Sequence, residues 1–203
     1  MNNEHELTHD LAQATDATAD DLDALHARLA SAAQSEGILD IAYRVVDGPV
    51  GALLIAATDL GLVRVAYASE GHDTVLQRLA DRISPRILLA PGRLDTAARQ
   101  LDEYFSGERH EFSVPLDWRL SAGFRGAVLR QLPEIGYGHT ASYAAVAKLA
   151  GNPNAVRAVG SACATNPLPI VVPCHRVVRS DGAMGGYLGG VEAKRILLTL
   201  EAA

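Results

Sequence analysis

Three runs of apolar, strand-forming residues follow one another closely between residues 41 and 68. The runs cover residues 41–46, 50–57 and 61–68, and the turn residues Asp47-Gly48-Pro49 and Thr58-Asp59 separate them. Short apolar runs bounded by Gly, Pro and Asp predict strands joined by tight turns. The sequence therefore predicts a three-stranded antiparallel meander.

Beyond the meander, the apolar spacing becomes helical. Residues 72–83 are amphipathic, and residues 94–105 place apolar side chains on one helix face, namely Leu94, Ala97, Ala98, Leu101 and Phe105. Residues 112–116 alternate as in a closing strand, and Pro115 favours a position at the sheet edge. No constellation of catalytic type occurs here, so we interpret residues 39–118 as a supporting domain.

The pattern after a linker at residues 119–123 is helical. Helices are expected at 124–132, at 143–149 with Ser142 as the N-cap, and from the turn Gly151-Asn152-Pro153 to about residue 164. Two short helices around a tight turn describe a helix-turn-helix. With a last helix at 191–200, residues 119–203 form a second domain, and the predicted fold class is α+β.

A cysteine stands where a buried run ends. The apolar residues Ile170-Val171-Val172 lead into Pro173-Cys174-His175-Arg176-Val177-Val178. Pro173 fixes the backbone and presents Cys174 at a stiff corner. Cysteine attacks as a thiolate, and both His175 and Arg176 are of the type that lowers a thiol pKa. Adjacent side chains in an extended chain point apart, so we expect His175 to reach Cys174 through a water or a local turn. The alternative is a cysteine that only packs in the core.

Composition and charge limit the class of protein. The 203 residues are 48% hydrophobic and 21% charged, with a net charge of −6 and two cysteines, Cys163 and Cys174. These values are typical of a globular chain without a disulfide framework, and neither a membrane span nor a signal peptide is expected, which favours the cytoplasm. Residues 119–203 carry nine Lys and Arg against four Asp and Glu, whereas residues 1–118 carry nine against twenty. Such asymmetry is expected when one half faces phosphates.

Residues 1–38 form an acidic, alanine-rich extension. Leu22, Leu25 and Leu29 recur at helical spacing, which predicts a short amphipathic helix over residues 20–33. We interpret the extension as a solvated segment packed loosely on the next domain. The alternative is a helix that docks a partner.

An ordered series of short motifs surrounds the cysteine. The series consists of Ser142-Tyr143, Gly151-Asn152-Pro153-Asn154-Ala155, Arg157-Ala158-Val159-Gly160, Asn166-Pro167, the Pro173–Val178 hexapeptide, Gly186-Tyr187 with Gly189-Gly190, and Leu197-Leu198 with Glu201. This series resembles the O6-alkylguanine-DNA alkyltransferases, also called methylated-DNA–protein-cysteine methyltransferases. The resemblance is strong over residues 124–201 and weaker over 41–118, and it leaves the first forty residues outside.

The resemblance implies a ribonuclease H-like N-terminal domain followed by a mostly helical, winged-helix-like domain that binds DNA. It implies direct-reversal repair, in which the alkyl group of O6-alkylguanine in double-stranded DNA moves irreversibly to Cys174. The target nucleotide is flipped out of the duplex, each molecule acts once, and O4-alkylthymine is left open as a second substrate. A monomer is expected, with cooperative assembly on DNA left open.

The resemblance also implies roles for individual residues. The chemistry belongs to Cys174, His175, Glu201, Tyr143 and Asn166, with Glu201, His175, a water and Cys174 as a proton relay. The substrate pocket is lined by Val177, Tyr187, Leu188 and Pro169. DNA is contacted through Arg157, Ala155, Val156, Ala158, Gly160 and Tyr143, with Arg157 entering the base stack. Small side chains cannot form bidentate bonds to base edges, so we expect this helix to read no sequence. The resemblance implies that it lies in the minor groove.

Several positions depart from the family pattern. Arg125, Leu129 and Gly136 replace residues that are frequent in relatives, and they lie in a supporting helix and loop. Ala164 and Thr165 stand where relatives often have a basic residue and Gly, so one phosphate contact is expected to be missing. The zinc-binding cysteines of some relatives are absent and the seven histidines lack ligand spacing, so no metal and no cofactor are expected.

Two other functional classes compete with this interpretation. A non-catalytic lesion-binding protein would share the second domain, but such proteins lack the cysteine. A thiol hydrolase or redox protein would need an oriented Cys–His pair or a resolving cysteine. Cys163 lies in the alanine-rich helix, which is a poor position for a resolving partner.

Overall fold

The fold is given by a computed structural model, which describes residues 19–202; the first part of the predicted extension lies outside these residues. Helix α1 (Ala19–Ser35) confirms the helix expected at 20–33. Its alanines approach the rest of the protein, since Ala30 and Ala33 are buried. The leucines face solvent, with exposed fractions of 49%, 53% and 53% for Leu22, Leu25 and Leu29.

The predicted meander forms a sheet with one additional strand. Strands β1 (Ile41–Val46), β2 (Leu53–Thr58) and β3 (Gly61–Tyr67) pair antiparallel in chain order. The additional strand β4 (Ile87–Leu89) pairs parallel with β1, so the sheet order is β3-β2-β1-β4. Three residues are too few to show an alternating pattern, which is why the sequence did not predict β4.

The closing strand predicted at residues 112–116 is wrong. The segment forms one isolated bridge to the sheet, between Leu116 and Leu62. Around it, the amide of Leu62 donates to the carbonyl of Pro115 at 2.8 Å, and the amide of Asp117 donates to the carbonyl of Leu62 at 2.8 Å. Pro115 has no amide hydrogen to extend the ladder, so the pairing stops there.

Two helices cover the first domain, α2 (His72–Arg82) and α3 (Asp95–Phe105). The buried face of α3 differs from the predicted one by about one position. It consists of Ala97, Gln100, Leu101 and Tyr104. Phe105 is only half-buried, and Tyr104 is fully buried in its place. This rotation directs the Tyr104 hydroxyl towards the C-terminal part of the chain.

The second domain contains four helices, α4 (Gly123–Gln131), α5 (Tyr143–Leu149), α6 (Val156–Ala164) and α7 (Gly190–Glu201). The predicted cap of α5 is confirmed, because the amide of Ala145 donates to Oγ of Ser142 at 3.1 Å. Gly151 has a φ of 80°, which suits the tight turn between α5 and α6. Helices α4, α5 and α6 pack on one another, as expected of a helix-turn-helix.

One apolar core joins the two parts of the chain. It includes Leu53 and Leu101 from the first domain and Val172 and Leu197 from the second. The core therefore holds α3 against the segment that carries Cys174. Residues 19–202 contain no helix that is both long and apolar enough to span a membrane.

Candidate active site

The segment before Cys174 is a strained loop organised by one amide side chain. Nδ2 of Asn166 donates to the carbonyl of Val172 at 2.8 Å, and Oδ1 of Asn166 accepts from the amide of Leu168 at 3.0 Å. Ile170 adopts a φ of 74°, which costs a β-branched residue on the order of 1–3 kcal/mol. Buried contacts of this loop hold the strained turn in place, since Asn166 and Ile170 are 0% and 1% exposed.

The thiol of Cys174 is buried at the start of a 3₁₀ turn, Cys174–Arg176, that lies between Pro173 and strand β5 (Val177–Val178). Cys174 is 2% exposed, and Nδ2 of Asn166 donates to its Sγ at 3.2 Å. Burial raises the pKa of the thiol to about 11, although the Asn166 bond and the charge of Lys194 act to lower it. The resting group is therefore a protonated thiol, which must lose its proton before or during attack.

Arg176 does not contact the thiol, so the prediction that it would lower the pKa of Cys174 is wrong. Its guanidinium binds Glu201, with Nε donating to Oε2 at 2.9 Å and Nη2 to Oε1 at 3.0 Å. A 3₁₀ helix has three residues per turn, so consecutive side chains diverge by about 120°. Cys174 then faces Asn166, whereas His175 and Arg176 both reach Glu201.

Glu201, at the end of α7, is the centre of a buried polar network. Oε1 accepts from Nε2 of His175 at 2.8 Å and from the hydroxyl of Tyr104 at 2.6 Å. Burial alone would raise the pKa of Glu201, but hydrogen bonds from His175 and Arg176 outweigh it and lower the pKa to about 2. Glu201 is therefore a carboxylate at neutral pH.

The tautomer of His175 follows from this carboxylate. A carboxylate can only accept, so Nε2 of His175 carries a hydrogen and donates it to Glu201. Burial lowers the pKa of His175 against the opposing effect of Glu201, which leaves the ring neutral and Nδ1 free to accept a proton. Among residues 19–202, no hydrogen-bond partner reaches the buried Nδ1. The site thus holds a proton acceptor on His175, the residue that follows Cys174 in the chain.

Tyr104 and Lys194 belong to the site but were not predicted. Lys194 is fully buried, and its Nζ donates to the carbonyls of Val177, at 2.6 Å, and Met184. Lys194 lies seven positions before Glu201 on α7, a spacing that places both on one helix face and that could have revealed it. For Tyr104 the signal was weaker, because Phe105 fits the apolar spacing of α3 equally well.

A pair of tyrosines, Tyr187 and Tyr67, lies beside His175. Tyr187 lies edge-on to His175, with ring centroids 6.3 Å apart, and its hydroxyl is 2.9 Å from that of Tyr67 in β3. Pro169 and Val177 are buried, and Leu188 is half-buried. Tyr143 is half-buried, and burial raises its pKa together with the nearby thiols of Cys163 and Cys174. The structure therefore groups Tyr187 with His175 and with Tyr67, which was not predicted.

Helix α6 presents a surface of small side chains. Val159, Ala162 and Cys163 face the core, while Val156, Arg157 and Ala158 are exposed and Ala155 and Gly160 are half-buried. Among residues 19–202, no atom outside the helix's own backbone lies within 4 Å of where a Cβ on Gly160 would be, so this face is open. Arg157 is the long side chain on it. Within residues 19–202, no group of three His, Cys, Asp or Glu side chains is placed to hold a metal ion.

Two family models together match most of the chain. Residues 41–118 match "6-O-methylguanine DNA methyltransferase, ribonuclease-like domain", and residues 123–203 match "6-O-methylguanine DNA methyltransferase, DNA binding domain". The ribonuclease-like domain and the helical DNA-binding domain confirm the predicted α+β fold class.

Individual relatives give the same assignment. A methylated-DNA–protein-cysteine methyltransferase of Mycolicibacterium paratuberculosis is 41% identical over 161 residues, which cover 79% of this chain and 92% of the relative. The constitutive enzyme of Bacillus subtilis with the same name is 39% identical over 164 residues, covering 78% and 94%.

Solved structures agree. The Mycobacterium tuberculosis O6-methylguanine methyltransferase is 38% identical with a TM-score of 0.70, covering 80% of this chain and 93% of that one. The structure of M. tuberculosis OGT in complex with DNA is 38% identical with a TM-score of 0.70, covering 79% and 92%. The chain therefore belongs to the methylated-DNA–protein-cysteine methyltransferase family.

Proposed function

We propose that this protein repairs O6-alkylguanine in DNA by moving the alkyl group to Sγ of Cys174. The observation that carries the proposal is the buried thiol of Cys174 next to the His175–Glu201 pair. In this reaction, Sγ forms a bond to the alkyl carbon while the bond from that carbon to O6 breaks. The thiol proton passes through a water to Nδ1 of His175. The guanine leaves with the electron pair of the broken bond and becomes neutral by taking up one proton.

Each neighbouring group has one task in this scheme. Glu201 keeps the hydrogen of His175 on Nε2, so that Nδ1 stays available as the acceptor. Asn166 donates to Sγ and stabilises the developing thiolate. The hydroxyl of Tyr143 donates to the ring of the departing base and offsets the negative charge that develops there.

The target nucleotide leaves the duplex before it reacts. A thiol that is only 2% exposed cannot reach O6 of a stacked base, so the base must enter the pocket formed by Tyr187, Leu188 and Pro169. The small-residue face of α6 allows close approach to the minor groove. Arg157, exposed near the start of α6, fills the space that the flipped base leaves in the stack.

The alkylated cysteine is the end product. The described site contains no group able to cleave a thioether, so each monomer acts once. Residues 39–118 act as the supporting domain and residues 119–203 as the domain that binds DNA and accepts the alkyl group.

Stoichiometry tests this proposal. Protein is mixed with an excess of duplex DNA containing O6-methylguanine, and repaired guanine is counted while mass spectrometry locates the methyl group. We expect one burst of no more than one guanine per protein, with the methyl group on Cys174. Cys174→Ser should bind DNA without repair, because a hydroxyl is a far weaker nucleophile. The matched control is Cys163→Ala, since Cys163 is also buried and its pKa is raised to about 12, and it should keep the full burst.

Other outcomes would assign another function. Sustained turnover, or methyl on Cys163, would refute the mechanism. Tight binding of the lesion without transfer by the unaltered protein would indicate a lesion-binding protein that marks DNA for another pathway.

A further inference from the structure

A cleft with a positive wall lies between the two domains, beside the candidate active site. Its volume is about 310 Å³, and its charged lining consists of four arginines and one glutamate, Arg64, Arg78, Arg82, Arg125 and Glu70. The whole chain carries a net charge of −6, so this excess of positive charge does not follow from overall composition. Gathering four cations around one cavity is unfavourable unless an anion occupies it.

The single glutamate is already occupied. Oε2 of Glu70 pairs with Nη2 of Arg64, and Oε1 of Glu70 accepts from the amide of Tyr67 at 3.0 Å. Nη1 of Arg64 also donates to the carbonyl of Pro167 at 3.2 Å. Arg64 thus links Glu70 of the first domain to Pro167 of the second. The single negative charge of Glu70 offsets one arginine, so three positive charges remain along the cleft.

Three arginines keep donors for a ligand. Arg78 and Arg82 are exposed, and the structure of residues 19–202 gives their side chains neither a hydrogen bond nor an ion pair. They lie four positions apart on α2, on the same face as the buried Val75 and Leu79, so both point along the cleft wall. Nε of Arg125 is buried without a hydrogen-bond partner in the same part of the structure, while its Nη2 donates to the carbonyl of Leu120.

The position of the cleft identifies the anion. Its far wall is formed by Ala164 and Thr165 at the C-terminal end of α6 and by Asn166 and Leu188 of the candidate active site. A duplex that lies on α6 with one nucleotide in the pocket must bring its backbone past these residues. A phosphodiester carries the charge and acceptor oxygens that guanidinium groups bind best.

We propose that this cleft binds a backbone phosphate of the DNA, so that Arg78 and Arg82 of the supporting domain extend the DNA-binding surface beyond the helix-turn-helix. This inference rests on the proposed function, because it takes α6 as the helix that lies on DNA. The arginines supply charge at the end of α6, where Ala164 and Thr165 offer none.

The experiment measures DNA affinity as a function of salt. Binding of the full chain to an unmodified duplex is titrated at several NaCl concentrations for the unaltered protein, for Arg78→Ala, Arg82→Ala and the double variant. Each phosphate contact contributes about 0.9 to the magnitude of the slope of log K against log [salt]. The double variant, which loses the bound phosphate, should therefore lower this magnitude by about 1, and each single variant should lower it by less. The rate with free O6-benzylguanine should not change, because that substrate has no phosphate.

A charge-matched control separates a local contact from a change in net charge. Arg28→Glu alters the net charge by the same two units as the double variant, and Arg28 is exposed on α1, which packs at the β4 edge of the sheet, opposite to β3 and the cleft. It should lower the slope by far less than the double variant, because a charge away from the cleft acts on DNA only through the screened long-range field.

Each other outcome overturns the proposal. An unchanged slope in the double variant, or an equal fall in Arg28→Glu, would show that no phosphate is bound in the cleft. If inorganic phosphate raised the melting temperature of the unaltered protein but not of the double variant, and the slope stayed the same, the cleft would bind a free anion and not DNA. Failure of the unaltered protein to bind or repair DNA would instead refute the proposed function.

Discussion

Replacing Tyr104 by phenylalanine tests whether the supporting domain takes part in the chemistry. The hydroxyl of Tyr104 donates to Oε1 of Glu201 at 2.6 Å and lies 3.4 Å from Nε2 of His175. The substitution removes this donor and keeps the ring, which packs against Phe105, Phe112 and Tyr137.

The size of the effect follows from the remaining partners of Glu201. A hydrogen bond to a charged acceptor contributes about 1.5–3 kcal/mol. Glu201 retains the bonds from His175 and Arg176, so we expect a loss near the lower limit, about 1.5–2 kcal/mol of unfolding free energy. In a chain of this length, 1 kcal/mol corresponds to about 2–4 °C, so Tm should fall by about 3–8 °C.

The kinetic effect has a characteristic pattern. Tyr104→Phe should slow alkyl transfer by up to about tenfold, equivalent to about 1.4 kcal/mol, because Glu201 positions His175 less firmly. The factor should be the same for duplex DNA and for free O6-benzylguanine. Loss of the donor leaves more negative charge on Glu201 to stabilise protonated His175, so the pKa of His175 rises. The acid limb of the rate–pH profile should therefore move to higher pH.

Single-turnover rates across pH, with both substrates, are the assay. The matched control is Tyr137→Phe, which removes the hydroxyl that donates to the carbonyl of Leu200 at 3.2 Å and leaves the Glu201 bonds in place. It should change stability without moving the pH profile. A Tyr104→Phe profile identical to that of the unaltered protein would refute the argument, whatever the loss of stability.

Three further substitutions separate DNA distortion, chemistry and pocket shape. Arg157→Ala should slow repair of duplex DNA far more than reaction with free O6-benzylguanine, and equal losses on both would contradict its place in the stack. Tyr143→Phe should slow single-turnover transfer with little change in DNA affinity; a loss of affinity alone would make the hydroxyl structural. Tyr67→Phe removes the hydroxyl that lies 2.9 Å from the hydroxyl of Tyr187, so Tyr187 is held less firmly and the ratio of benzyl to methyl transfer rates should rise. An unchanged ratio would show that Tyr67 does not shape the pocket.

Local patterns predicted much of the fold, whereas the residues around the thiol were predicted from the family resemblance. The meander and the Ser142 cap depend on residues adjacent in the chain, and the apolar run before Cys174 predicted its burial. The closing strand at 112–116 was wrong because alternation cannot show whether a neighbouring strand can accept the pairing.

Contacts between residues far apart in the chain could not be predicted from sequence patterns. Tyr104 meets Glu201 across 97 positions, and only the packing of α3 on the second domain places them together. Arg176 was expected to act on the thiol because it is a cation close to Cys174 in the chain, whereas the structure places its guanidinium on Glu201. The arginines of the interdomain cleft are likewise separated in sequence and share no motif.

The acidic extension allows a test of whether distant negative charge weakens DNA binding. Residues 1–38 contain eight acidic residues and one basic residue, a net charge of −7 against −6 for the whole chain, so residues 39–203 carry +1. Removing residues 1–38 should therefore strengthen DNA binding at low salt, with the difference fading as salt screens the charges.

The same truncation should cost little stability. Of the described part of the extension, Ala30 and Ala33 are buried, and two buried methyl groups contribute about 1.6 kcal/mol at most. Ordering α1 carries an entropy cost that offsets part of this gain, and its leucines already face solvent. We expect residues 39–203 to unfold cooperatively, with Tm lower by a few degrees, and to keep the full repair burst.

The charge-only control replaces Glu4, Glu6, Asp10 and Asp16 by their amides and leaves α1 intact, and it should reproduce part of the gain in affinity. Loss of folding in the truncated protein would show that α1 belongs to the core, and equal affinity at low salt would show that the acidic charge lies too far from the DNA to act on it.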